Sequence, residues 1–274
     1  MKEIKSRIRN LTIKLIKSLI SLINLDILRF AHSEIGIGDF GDAEKTGEKY
    51  LIKDGLSKYL SQEKKTIFFD IGANVGEYSH LLRAYYKKAD IFSFEPNPRA
   101  YEILKKTSKE KNIFCENKGM GEILTPEKTL YSYKNLPGTQ LGTTNREILK
   151  NYNIPDEIEE INFYSDTIDN YCSKNKIDEI DFVKIDVEGL ELQVLKGAKE
   201  LLKKNKIKVI QFEFNEPNIS GRVFLKDFYN LLNNFEFYRL KKNSLLPLGE
   251  YNSKNEIFIY QNIIAINKKF ISIN

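Results

Sequence analysis

From residue 66 onward, two hydrophobic rhythms alternate along this chain of 274 residues. Short runs rich in β-branched and aromatic residues, "TIFFDI", "DIFSFEP", "NIFCEN", "IDFVKID", "KVIQFEF", "FEFYRL" and "NIIAIN", predict strands. Between most of them lie stretches with apolar residues every three or four positions, such as "GEYSHLLRAYYKK", "PRAYEILKKTSKE", "GLELQVLKGAKELLKKN" and "VFLKDFYNLLNN", which predict helices. Apolar strands alternating with helices make a mostly parallel sheet covered on both faces. The last two strands follow each other through a loop, which predicts an antiparallel hairpin at one edge. The rhythm breaks between Glu122 and Ser165, where "TLYSY" and "INFYS" are short strand candidates around "NLPGTQLGTTNREILKNYNIPDE". A connection this long between two core strands predicts a cap over a site.

Upstream, residues 1–30 place Ile8, Leu11, Leu15, Leu19, Leu22 and Ile23 at helical spacing, with Lys5, Arg9, Lys14 and Lys17 between them. This is a basic amphipathic helix. Its charge-free run, Ser18 to Leu25, falls far short of the ~20 apolar residues that span a bilayer. No small-residue cleavage site follows it, which argues against a signal peptide. Such a helix suits packing on its own domain or on a second copy in a homodimer, and it also suits peripheral contact with the inner face of a membrane. Residues 31–65 read as a Gly- and acid-containing loop followed by the helix "GEKYLIKDGLSKYLSQ", leading into a domain over 66–274.

Composition narrows the function only slightly. Hydrophobic residues make up 41%, enough for a sizeable core, and 43 Lys+Arg against 38 Asp+Glu leave +5. That balance is too mild to imply a nucleic-acid groove, and the core has no basic run with interleaved aromatics. Cys115 and Cys172 form no CxxC and have no His cluster nearby, so reduced thiols in the cytoplasm are expected, with Cys115 a small core residue.

The chemistry gathers at strand ends, where ligands bind in open parallel sheets. In "TIFFDIGANVGEYSHLL", Gly72 and Gly76 let the backbone turn sharply, and Asp70 is expected to point into the crevice. The loop has G-x-x-x-G and lacks the complete G-x-G-x-x-G of a pyrophosphate clamp, while an acid at the mouth favours an ammonium or sulfonium. Glu95 ends the next strand about 20 residues beyond the glycines, where a carboxylate accepts both ribose hydroxyls. A nucleoside with a cationic, amino-acid-bearing tail describes S-adenosylmethionine better than NAD. In "DFVKIDVEGLELQVLKGAKELL", Asp186 and Glu188 stand two apart on an extended segment and so point the same way. Glu188 has a second reading, as a charge complementing the following helix. Glu213 in "VIQFEFN" repeats the arrangement one strand on. Three carboxylates at one mouth are also hard-cation ligands, so Mg²⁺ is compatible with them, though no spacing specifies a metal site.

Two rival classes compete with this reading. Tyr101 and Lys105 form the Y-x-x-x-K of short-chain reductases and would make the chain a nicotinamide-dependent oxidoreductase, but they follow Glu95 on a helix and read as surface. The other rival is a non-catalytic nucleoside- or membrane-binding module built on the basic helix. His80 reads as a helix-face or core histidine.

Taken in order and spacing, "FFDIGANVGEYS", "FSFEPNPRAYEIL" and "FVKIDVEGLELQVLKGA", with "NKGMGE" after the third strand, resemble the FkbM family of S-adenosylmethionine-dependent methyltransferases. The likeness runs from about residue 45 to the C-terminus. It implies an α/β, three-layer, Rossmann-like class I methyltransferase fold, with a seven-stranded sheet whose final strand is antiparallel. It also implies O-methylation of a sugar hydroxyl, as in a surface glycan, or of a natural-product hydroxyl. By matching position, Asp70, Gly72, Asn74 and Gly76 would surround the methionine part of the cofactor and Glu95 the ribose. Asn97 follows on the same loop and Met120 would lie near the adenine. Tyr78 matches a family aromatic and stands either at the cofactor or in the packing. "TTNREIL" and "PGTQL" replace the family's usual Ser-rich segment. Methyl transfer to oxygen needs an aligned hydroxyl and a group to take its proton, for which Asp186 is the first choice, followed by Glu188 and Glu213.

Overall fold

The computed structural model describes Arg7, Arg9, Ser18 and residues 11–16, 26–135, 142–151 and 154–271. In chain order the strands are β1 (Ile67–Ile71), β2 (Asp90–Phe94), β3 (Ile113–Glu116), β4 (Gly119–Met120), β5 (Thr125–Tyr133) and β6 (Ile158–Asp166). There follow β7 (Ile180–Ile185), β8 (Ile207–Phe214), β9 (Phe235–Lys241), β10 (Ser244–Pro247) and β11 (Gln261–Asn267). The main sheet has eight strands in the order β10-β9-β11-β8-β7-β1-β2-β3. β3, β2, β1, β7 and β8 run parallel, whereas β11 is antiparallel to both β8 and β9. The expected seven strands with a final antiparallel member are all present. The predicted pair, β9 and β11, is antiparallel as expected, but β11 lies inside the sheet between β8 and β9; the edge is made by an eighth strand, Ser244–Pro247, which folds back on β9.

Alternation along each strand divides the core into two layers. Phe69, Ile71, Val183, Ile185, Ile210 and Phe212 face one side, where Tyr171, Leu192, Leu195 and Phe228 cover them. Phe68, Phe182, Val209 and Ile264 face the other, against Leu51, Ile52, Leu56, Tyr78 and Leu82. Cys115, expected in the core, is only partly buried because β3 is an edge strand with one flank open.

The helices include α1 (Ile27–Glu34), α2 (Glu77–Tyr85), α3 (Pro98–Ser108), α4 (Arg146–Asn151), α5 (Ile168–Asn175) and α6 (Glu191–Lys196), of which α2, α3, α5 and α6 follow strand ends. α3 opens with Pro98 in its first turn, and the Asn97 side chain accepts from the Arg99 N–H at 3.0 Å, two reasons a helix begins there. Thr167 caps α5 by accepting from the Asn170 N–H. A second sheet, β4-β6-β5, is built largely from the insertion, with β5 and β6 an antiparallel pair. "PGTQL" lies outside the described residues, as does most of the basic stretch 1–30. Of that stretch, residues 11–16 are helical and exposed, and α1 buries none of its side chains.

Candidate active site

The glycine turn after β1 exists because two loops meet there. Gly72 has φ +83°, and a Cβ on it would stand 1.8 Å from the Asp186 carbonyl oxygen, so no other residue lets the β1 and β7 loops pass. The Gly72 and Ala73 N–H groups donate to the Phe94 carbonyl, tying the turn to β2. Gly76, at φ +93°, is the left-handed residue from which α2 starts.

These loops form one wall of an open cleft at the carboxyl ends of the parallel strands. Gly72, Asn74, Glu95, Asn97, Asp186 and Glu188 line it from the loops after the main strands, and Met120 lines it from β4 of the second sheet. The opposite wall comes from the insertion, through Lys128, Leu130, Gly142, Thr144 and Phe163. Glu95 is rigidly presented: its Oε2 accepts from the Asn74 N–H and its Oε1 from the Asn97 N–H, each at 2.8 Å. Burial pushes its carboxyl up to about 7, although those two amides pull the other way. Each oxygen keeps a second lone pair, the equipment a pair of ribose hydroxyls requires. Phe94, Met120, Leu130 and Phe163 supply the apolar surface a purine ring needs.

Asp70, Gly76, Tyr78 and Glu213 are absent from the cleft lining. Asp70 does not point into the crevice. It shares a face with Phe68 and is fully buried one row beneath the turn, where it accepts from the Ser79 hydroxyl at 2.5 Å. Ser79 in turn meets Ser93 at 2.6 Å. Tyr78 stacks on Phe182 and donates its hydroxyl to Gln211 Oε1 at 2.5 Å, which settles it in the packing. The strand register sets Ser93, Asp70, Lys184 and Gln211 side by side, a buried polar row under the site. Gln211 extends it by donating to Glu48 and Asn262, both at 2.9 Å.

One row higher stand the three predicted acids. Asp186, Glu188 and Glu213 each bring an oxygen within 4.8 Å of the others. Burial first, then Asp186 and the neighbouring acids, push the Glu188 and Glu213 carboxyls well up. Lys184, only 6% exposed, bridges the rows: its Nζ is 2.8 Å from Asp186 Oδ2 and 3.9 Å from Asp70 Oδ1. Burial alone would pull this ammonium down, but Asp186, Asp70 and Glu48 raise it above its ordinary value. The predicted list of site residues lacks Lys184. The available cue was its parity with Asp186, two positions on, in an otherwise apolar strand. Lys128, Leu130 and Phe163 carried no such cue. His80 bonds Ser108 at 3.2 Å and Lys105 lies over the Tyr101 ring, and none of the three lines the cleft.

The family model described as the methyltransferase FkbM domain matches residues 70–239, more than half of the chain. Methyltransferase sdnD of Sordaria araneosa is 29% identical over 175 residues, covering 56% of this chain and 68% of its own. The 2-O-methyltransferase NoeI of Sinorhizobium fredii is 25% identical over 194 residues, covering 65% and 75%. Among solved structures, a precorrin-6y C5,15-methyltransferase from Geobacter metallireducens covers 85% of this chain and 97% of its own, with 13% identity and a TM-score of 0.40. A TehB-like S-adenosylmethionine-dependent methyltransferase from Corynebacterium glutamicum covers 79% and 89%, with 10% identity and a TM-score of 0.40. With the family model spanning the β1 turn, Glu95, the acid triad and most of the main sheet, the chain belongs to the FkbM family of methyltransferases.

Proposed function

We propose that the protein transfers a methyl group to a hydroxyl of a small-molecule or glycan acceptor, a sugar or natural-product oxygen, in the cytoplasm. The observation that carries this is Asp186 at the cleft. Its Oδ2 is taken by the Lys184 ammonium at 2.8 Å, and its Oδ1 has no partner among the described residues. That free oxygen can accept an acceptor hydroxyl, orient it and receive its proton. S-adenosylmethionine, the donor the family implies, supplies an electrophilic methyl when bound. Glu95 would hold its ribose, Asn74 and the Gly72 turn its amino-acid part, and Met120 and Phe163 its adenine. The acid excess around one lysine suits a cationic ligand. NoeI, whose name specifies 2-O-methylation, supports oxygen as the acceptor atom. Mg²⁺ has no comparable support, because the Lys184 ammonium already pairs with Asp186 at 2.8 Å.

Titration calorimetry with S-adenosylmethionine and with NAD tests the donor, and transfer of labelled methyl to a panel of sugars tests the acceptor. Asp186→Asn is expected to lower kcat by about 10²–10³-fold while donor affinity stays within a few fold. Binding of NAD but not S-adenosylmethionine would refute the donor. Unchanged turnover in both Asp186→Asn and Glu213→Gln would refute the assigned roles.

A further inference from the structure

We infer that the basic N-terminal segment docks the protein on an anionic lipid surface. Residues 1–30 hold seven Lys and Arg against only Glu3 and Asp26, while the remaining residues hold 36 basic and 36 acidic side chains. The whole +5 of the chain therefore resides in this segment. The described part of this segment also exposes apolar side chains: Leu11, Leu15, Ile27, Leu28 and Phe30 are exposed, Leu15 at 60% and Leu28 at 66%, and Phe40 follows them in the next loop. None of the described residues from 7 to 34 is buried against the domain. Single exposed apolar residues need no explanation, but a run of them interleaved with the chain's entire charge excess does.

Three occupants compete for this surface. The domain itself leaves the described side chains uncovered. A second copy would meet it across a two-fold axis, which sets +5 against +5 in one isologous contact. A lipid surface answers both features at once, because headgroup phosphates attract Lys and Arg while the acyl boundary takes Leu, Ile and Phe. The charge-free run Ser18–Leu25 is far shorter than the ~20 apolar residues that span a bilayer, so the proposed contact is peripheral; among the described residues no helix is long and apolar enough to cross a membrane.

The attachment point gives the docking a direction. The chain enters the domain along the carboxyl edge of the main sheet: Gly38 N–H donates to the Tyr260 carbonyl at 2.8 Å, and Glu48 accepts from Gln211 at 2.9 Å. That edge is the one on which the cleft opens.

The test is flotation of the full-length protein with vesicles of phosphatidylcholine alone or with about 30% phosphatidylglycerol. Binding is expected to be at least about tenfold stronger on the anionic vesicles and to fall back when salt rises from about 0.1 M to about 0.5 M. Leu15→Glu/Leu28→Glu and, separately, Arg9→Glu/Lys14→Glu should each cost about tenfold in bound fraction. Unchanged melting temperature and S-adenosylmethionine affinity in both variants would show that the fold is intact. Equal binding to both vesicles, or binding to neither, overturns the inference. So does a doubled solution mass that these substitutions abolish while the vesicles recruit nothing.

Discussion

Glu95→Gln separates the two roles of the buried carboxylate. In the native protein its oxygens accept from the Asn97 and Asn74 N–H groups at 2.8 Å each. Glutamine offers one acceptor and an amide that confronts the second N–H with another donor. The folded-state carboxyl sits at about 7 against an ordinary 4.5, so the folded protein holds this proton more tightly than the unfolded chain does. Its contribution to stability is therefore full below about pH 4.5 and is lost as the pH rises through about 7. At about 1.4 kcal/mol per pH unit, the loss comes to about 3 kcal/mol. Glutamine has no proton to lose, so its share of that slope should vanish. Urea unfolding of both proteins from pH 4 to 8 reads the difference directly. Binding should move the other way: native affinity for S-adenosylmethionine rises toward pH 8 as the carboxylate forms. Glu95→Gln should bind about 10²-fold more weakly with little pH dependence, from hydrogen bonds to a charged group worth about 1.5–3 kcal/mol each. A stability difference that does not change with pH, or native-like affinity in the variant, would refute this account.

Gly72→Ala should destabilise the fold by about 3 kcal/mol, since its Cβ would meet the Asp186 carbonyl at 1.8 Å and force two loops apart; a shifted urea midpoint with an unchanged m-value is the expected record. Lys184→Met should cost about 3–5 kcal/mol by leaving Asp70 and Asp186 without their shared cation, measured by the same unfolding curves. Ser79→Ala should cost about 1–3 kcal/mol, because Asp70 Oδ2 loses its hydroxyl donor in a fully buried site.

Much of the scaffold was legible because each core strand is short, apolar throughout and followed by a helical period. Glu95 and Asp186 were legible for a related reason: an acid directly after a buried strand emerges at the edge where ligands bind. Asp70 exposes the limit of that rule. An acid serving a ligand and an acid serving a buried serine and lysine look alike in one dimension, and only the strand register separates them, by setting Asp70 beside Lys184 one row below Asp186. Phe163 and Lys128 were illegible because the β5–β6 hairpin brings them to the cleft through pairing across a long connection, with no local periodicity to mark which face they take. Strand β10 escaped notice because four residues ending in proline carry too little pattern to stand out.

The position of β11 has a consequence for how the molecule is made. Its seven residues, Gln261–Asn267, fill the space between β8 and β9, strands completed earlier in synthesis. A nascent chain therefore leaves the β8 edge bare, with unpaired amides and carbonyls, until translation has reached Asn267. Such an edge invites pairing with a neighbouring polypeptide, so the interval before closure is when a chaperone would matter most and when slow ribosomes would cost the most yield.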